Sequence, residues 1–503
     1  MRWPTRSIRL SSSVRWTKNV SHRLCTNFFA NKMIIIQTFM ATIQEIIDKN
    51  RPVTEIISDL KEKAVYVQPW TGRWGLIHEY DPKRHPVMNK AKYPDIVNED
   101  GSIDYVTRIT YDLQRLAVKR MTELCFGIPV KRIYKPNNDG EQKVAKMLEA
   151  IYERNRIDSV NIERSNMLFA GCEVMTLWYA VEQRHDLYGF NCPLKLRCKN
   201  YSPMHGDELY PLFDEYGDMI ALSVGYTRKK LGKTVSYFDT YTDSKHLKWS
   251  NENNGWQLIE DEDITLGKIP GVYMFRPTPI WEDTSKIVFE IEWALSRNGN
   301  YLRKNSKPVF CVFADEEIQF GEEQPENKEF KSILQYPKGS SAGYVTWEQA
   351  VENLKFFVTE LRQSFFTQLQ LPDWSYESMK SNPMSGESRK QLFIDAQLKV
   401  KDESGRLIEF LDREMNVVKA FLKTMLPEKQ WKDVDSLQVE MEITPFTITD
   451  DKDTIANLTT ANGGKPIISQ RQSVEMLGWS NDVDKTMQEL GEEKTVDAFH
   501  LTE

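Results

Sequence analysis

Seven histidines, six cysteines and 73 acidic residues are the side chains of this 503-residue chain that could carry chemistry. Metal centres and nucleophile–base pairs need such groups at short, fixed spacings. The histidines (22, 78, 85, 185, 205, 246 and 500) are scattered, and His78 and His85 stand seven apart in an irregular stretch. The cysteines (25, 125, 172, 192, 198 and 311) form no C-x-x-C pair, and the step from Cys192 to Cys198 is a poor metal spacing. Cys125 and Cys172 sit among apolar neighbours and are expected in the core, with the thiols free. No phosphate-binding glycine loop, H-E-x-x-H helix or G-x-S-x-G elbow is present. The run "ADEEIQFGEEQPENKE" holds seven acids and one lysine; a solvated charged loop explains it better than a cation site. No catalytic residue, metal ligand or cofactor site is expected, and the chain is not expected to be an enzyme.

The elements that would position any other kind of site are easier to find. Leu113, Leu116, Ala117, Met121 and Leu124 recur at helical spacing within Tyr111–Val130, and Gly127 with Pro129 stops that helix. The stretch before it, "YVQPWTGRWGLIHEYDPKRHP", is rich in Pro, Gly and aromatics and predicts an extended packed segment. Glu141–Asn155 and Ile157–Phe169 are further helices, and "EVMTLWYAVEQ" a strand. Residues 193–258 alternate between strand patterns and turn-like breaks ("DEYGD", "KKLGK", "NENNG"), which predicts a β meander. An acidic and then Pro-rich stretch fills 259–282.

A third architecture follows. Asp283–Asn305 predicts a helix with Ile287, Val288, Ile291, Ala294 and Leu295 on one face, its end weakened by Gly299. A strand over Lys307–Phe313 and the short segments "SILQYP" and "GSSAGYV" make a small α/β insertion. A second helix starts at a capping box of Thr346 and Gln349 and runs to Leu371. At 1.5 Å per residue the two helices would be ~35 Å and ~40 Å long. After "SNPMSGES" (Ser381–Ser388) comes a third long helix, Lys390–Met425, with an apolar stripe of Leu392, Phe393, Ala396, Val400, Leu407, Leu411, Met415, Val418 and Leu422 and a kink at Gly405. In the intervening loop Pro383 bars a continuous helix, Ser385 can cap the next one, and Gly386 adds backbone freedom. Ser436–Phe446 alternates as a strand, and short helices form the tail.

Hydrophobic residues make up 40% of the chain, enough for a real core, and no apolar run approaches the ~18 residues of a membrane span. Residues 1–39 hold seven basic residues and no acid. That composition imitates a mitochondrial transit peptide; an upstream in-frame extension, with initiation at Met33 or Met40, is the simpler account, and a genuine basic arm is the third. The remainder carries 59 basic against 73 acidic residues, a net charge of −14. Proteins that grip nucleic acid through its phosphates are normally basic, so tight non-specific DNA binding is disfavoured, although an acidic surface that lets DNA slide past is not.

The order of these parts resembles the portal protein of tailed bacteriophages of the siphophage type. Four segments carry the likeness. "LAVKRMTELCFGIPV" (Leu116–Val130) is similar to the early wing helix that ends at Gly-x-Pro, and "NIERSNMLFAGCEVMTLWY" (Asn161–Tyr179) to the wing helix that runs through a Gly into a strand. "NPMSGESRKQL" (Asn382–Leu392) is similar to the Ser-Gly approach to the later wing helix, with Ser388-Arg389 where the family often has Ala-Leu. "KPIISQRQSVEML" (Lys465–Leu477), followed by "NDVDKTMQELGEE" (Asn481–Glu493), resembles the crown ending.

The resemblance implies an α+β, portal-like fold. Its parts would be a basic extension over 1–39, a wing over 40–282, stem helices over 283–306 and 345–371, a clip over 307–344, a tunnel loop over 372–386, the wing again over 387–447 and a crown over 448–503. It implies a homo-oligomeric, dodecameric ring at one capsid vertex. Double-stranded DNA is pumped through that ring by the terminase large subunit and later ejected. The major capsid and scaffold proteins and the neck or adaptor proteins would be partners, with no cofactor and no membrane, in the virion and, during assembly, the host cytoplasm. The implied channel and tunnel-loop residues are Trp374, Tyr376, Lys380, Ser381, Asn382, Pro383, Ser385, Gly386, Arg389 and Lys390. The implied clip and partner interface comprises Lys307, Phe310, Phe313, Tyr336 and Lys338. The alternatives are another ring or adaptor protein of a virion, or a metal-dependent nuclease.

Overall fold

The computed structural model describes residues 42–62, 73–214, 216–252, 255–305, 309–313, 341–345, 351–373, 375, 393–446, 469–477 and 483–500. Near the N-terminus stand α1 (Ile43–Ile46) and α2 (Val53–Leu60), separated at Pro52, and Thr42 caps α1 in a reciprocal box with Glu45. The aromatic stretch expected to be extended holds a helix, α3 (Arg73–His78), and two 3-10 turns, Pro82–Arg84 and Pro86–Met88. Each turn begins on a proline, whose fixed φ suits the first position of a helical turn; the same prolines suggested extended chain from sequence. A small hairpin follows, β1 (Ile96–Val97) with β2 (Ile103–Asp104).

Next come α4 (Leu113–Phe126), β3 (Lys131–Lys135), α5 (Asp139–Arg154) and α6 (Ile157–Gly171). Asn138 caps α5 by accepting from the Glu141 amide at 2.8 Å. The chain then turns to strands: β4 (Glu173–His185), β5 (Cys192–Tyr201), β6 (Glu208–Phe213), β7 (Met219–Lys230), β8 (Lys233–Tyr241), β9 (Lys245–Ser250), β10 (Gln257–Asp263) and β11 (Gly271–Phe275). Strands β6 to β10 form the expected antiparallel meander. Strand β5, expected within it, pairs instead with β4, whose other edge takes β11. The acidic and Pro-rich stretch thus supplies two strands that its composition concealed. Acidic β10 lies at the edge of its sheet, where charged side chains are tolerated.

Two-residue periodicity explains how the meander is covered on both faces. Leu222, Val224, Tyr226 and Tyr241 face the three-stranded sheet and pack with Met175, Leu177, Tyr201 and Tyr273. Phe238, Leu247 and Trp249 face the other way and are covered by Ile46, Ile56, Ile57 and Leu60 of α1 and α2. The largest core gathers α4, α5, α6 and β4 with Trp281 and the elements that follow. Cys125 and Cys172 are buried in this region, as expected, and with Cys192 and Cys198 they are free thiols.

Helix α7 (Ser285–Asn305) leads to β12 (Val309–Phe313), which pairs antiparallel with β13 (Ser341–Val345) ahead of α8 (Val351–Gln368). Gly299 lies inside α7 rather than ending it. The described spans of α7 and α8 correspond to ~32 Å and ~27 Å; the Thr346–Gln349 cap lies outside the described residues. Helix α9 (Ile394–Met425) is one unbroken helix through Gly405. That glycine is exposed, and buried Val400 and Leu407 hold the helix on either side of it. Last come α10 (Trp431–Ser436), β14 (Gln438–Glu442), α11 (Gln470–Leu477) and α12 (Val483–His500). Strand β14 returns to pair with β3 some 300 residues earlier, from Gln438 opposite Lys135 to Glu442 opposite Lys131.

Candidate functional site

The helix pair α7 and α8 is buried at one end only. Val288 and Ile291 of α7, and Phe365 and Phe366 of α8 with Leu369 after it, enter the main core. Farther along, the apolar residues are uncovered: Phe356 is 67% exposed and Leu302 52%, and Phe357 and Tyr301 also face solvent. The β12–β13 pair follows α7 and precedes α8 in the chain at this uncovered end. Phe310 stands opposite Tyr344 in the register, and Phe313, 64% exposed, stands opposite Ser341. The other residues expected at this interface, Lys307, Tyr336 and Lys338, lie outside the described residues.

At the buried end, α8 stops and the expected channel loop begins. The Leu371 amide donates back to the Phe366 carbonyl at 3.0 Å, and Gln370 takes a left-handed φ of 54°. This is the helix-ending arrangement that usually employs glycine, and Pro372 then prevents continuation. Leu371 and Pro372 are buried, and Arg362 reaches forward to Asp373 at 3.2 Å. On the far side of the loop Phe393, 1% exposed, plugs the start of α9. One turn and a half later, Lys399 donates to the Leu369 carbonyl at 2.6 Å, tying the two anchors together. Burial, with Arg276 nearby, pulls the Lys399 ammonium below its ordinary pKa, against the opposing pull of Glu403 and Asp283. Glu403, one turn on, accepts from Arg276 at 2.8 Å. Both ends of the 374–392 segment are therefore fixed to one rigid patch. Trp374, Tyr376, Lys380, Ser381, Asn382, Pro383, Ser385, Gly386, Arg389 and Lys390 themselves lie outside the described residues.

A buried polar network also fixes α9, and sequence reasoning missed it. Arg164 of α6 donates to both carboxylate oxygens of Glu414, at 2.6 and 2.8 Å, and Trp178 Nε1 donates to the same carboxylate at 3.0 Å. Arg164 is 4% exposed and Glu414 fully buried. Thr176 and Asn200 extend the network across β4 and β5. A signal existed: Glu414 falls three residues after Leu411 and four before Val418, squarely on the apolar stripe, where a charge demands a partner.

His78 and His85 make separate contacts. His78 Nδ1 meets Arg84 at 2.7 Å, while His85 Nδ1 meets Glu292 at 2.6 Å. Among the described residues no three His, Cys, Asp or Glu side chains gather as a metal site, and no helix is long and apolar enough to cross a membrane.

Comparison with known proteins gives the family. The family description "Phage portal protein, SPP1 Gp6-like" matches residues 77–498. Among solved structures, the chain is similar to a protein in the neck of an empty GTA particle computed with C6 symmetry. The identity is 11% and the TM-score 0.36, covering 82% of this chain and 99% of that one. It is also similar to a protein in the virion of a native gene transfer agent (GTA) particle, at 11% identity and a TM-score of 0.34, covering 73% of this chain and 89% of the other. No curated protein matches it. With the match spanning most of its length, the chain belongs to the SPP1 Gp6-like family of phage portal proteins.

Proposed function

We propose that this chain is the subunit of a homo-oligomeric portal ring, a dodecamer, through which double-stranded DNA enters the capsid and later leaves it. The observation that carries this reading is the uncovered apolar stripe of α7 and α8, on a helix pair whose opposite, buried end leads into a loop pinned at both ends. Exposed apolar surface of this kind marks an interaction face, and a ring of copies would cover it while leaving polar faces toward a channel. The net charge of −14 for residues 40–503 suits a conduit that DNA must slide along, since counterion-release binding needs basic contacts. In this reading the 372–386 loop lines the channel and the β12–β13 end meets the terminase large subunit or neck proteins. The wing surface meets major capsid and scaffold proteins, in the virion and, during assembly, in the host cytoplasm.

Mass photometry and negative-stain imaging of the purified chain test the ring. Twelve-fold end views with a central channel support it; a monomer at every salt concentration overturns it. Shortening 376–386 tests the loop: rings should assemble as before, while DNA packaging or retention fails. Loss of folding would instead put the segment in the core.

A further inference from the structure

An extended strap runs along α7 in matched register. The Tyr111 amide donates to Glu292 Oε1 at 2.8 Å, the Ile109 amide to Ser296 Oγ at 2.8 Å, and the Thr107 amide to Asn300 Oδ1 at 2.6 Å. Arg303 then donates to the Tyr105 carbonyl at 2.9 Å. Four helical residues rise ~6 Å and two extended residues ~6.6 Å, so each strap step of two meets a helix step of four. Gly299 permits the close approach: a Cβ there would lie 2.7 Å from Thr107 Cγ2.

At one end of this zipper, Glu292 has a second partner. His85 Nδ1 lies 2.6 Å from Glu292 Oε1, and His85 Nε2 lies 2.7 Å from the Glu79 carbonyl oxygen. His85 is 2% exposed and Glu292 1%. A carbonyl and a carboxylate that already receives the Tyr111 amide are both acceptors. A neutral imidazole has one N–H and would set its bare nitrogen against an oxygen. The geometry is satisfied only when a second proton lies between Nδ1 and Oε1, and the imidazole, the stronger base, holds it.

We infer that His85 is a proton-dependent clamp: doubly protonated, it locks the Glu292 carboxylate, and with it the 105–111 strap, onto α7, and loss of that proton loosens the strap.

Burial alone pushes the imidazole pKa down, but the Glu292 carboxylate and the Glu79 carbonyl outweigh it and hold it above the ordinary histidine value. The sign follows: the clamp contributes fully below the unfolded histidine value of ~6.5 and fades as pH rises through the higher folded value. The charged and titratable groups facing the pair are Glu79, whose carboxylate accepts from Ser285 at the head of α7, and Glu292 itself. A cavity of 270 Å³ lined by both adds Lys92, Tyr93 and Lys286.

Hydrogen exchange of the full chain, corrected for the intrinsic rate, tests the clamp between pH 6 and 9.5. Protection of the Thr107, Ile109 and Tyr111 amides should fall by up to about tenfold per pH unit above the folded His85 pKa, while that of α4 holds. Glu292→Gln keeps an acceptor for the Tyr111 amide but removes the charge, so the loss should begin at lower pH. His85→Gln should abolish the pH dependence. Constant protection across the range in the native chain, or an onset unmoved by Glu292→Gln, overturns the clamp. These readouts come from within one chain and do not depend on whether rings form.

Discussion

Replacing Arg164 with leucine should be among the most damaging single changes in this protein. The substitution removes two of the three donors that Glu414 receives, leaving a fully buried carboxylate held by Trp178 Nε1 alone. Breaking a buried pair from one side costs about 3–5 kcal/mol, because the stranded charge keeps its desolvation penalty. The cation–π contact with Phe410, whose ring lies 4.7 Å from the guanidinium, goes too. Removing both partners, as Arg164→Leu with Glu414→Leu, should cost less than Arg164→Leu alone. What remains is the unpaired Trp178 Nε1–H and the lost partners of Asn161, each about 1–3 kcal/mol. The assay is chemical denaturation of the full chain, followed as a double-mutant cycle. An Arg164→Leu variant within 1 kcal/mol of the native chain, or strictly additive costs in the pair, would refute the reasoning.

Three more changes test the anchors. Gln370→Gly should raise stability by about 0.5–1 kcal/mol in thermal unfolding, because it relieves the left-handed φ at the end of α8. Lys399→Met should leave the fold intact but unfasten α9 from the Leu369 carbonyl; limited proteolysis should then cut the 374–392 segment faster, and an unchanged rate contradicts the anchor. Gly299→Ala should cost about 1 kcal/mol despite better helix propensity, since its Cβ overlaps Thr107. In a Thr107→Ala background the same change should become neutral or stabilising.

Long periodic elements were legible from sequence alone. The stripe from Phe393 through Ala396, Val400, Leu407, Leu411, Met415, Val418 and Leu422 is buried as its spacing predicts, because a 3.6-residue repeat of apolar groups has only one way to leave water. The stop of α4 at Gly127 was local chemistry and equally readable. The order of parts also sufficed to suggest the portal family. Non-local partnership was not legible. No pattern tells β5 to join β4 rather than the meander, or sends β14 back to β3, since strand pairing is chosen by the whole sheet. Acidic β10 hid because an edge strand can carry charge on both faces. Arg164 with Glu414, His85 with Glu292, and the strap on α7 join residues 250, 207 and 181 to 198 positions apart. Periodicity is a property of neighbours along the chain, so the sequence determined which stretches are helix or strand and which faces they bury. Which buried charge meets which depends on elements brought together only by packing, and that the tertiary structure alone decided.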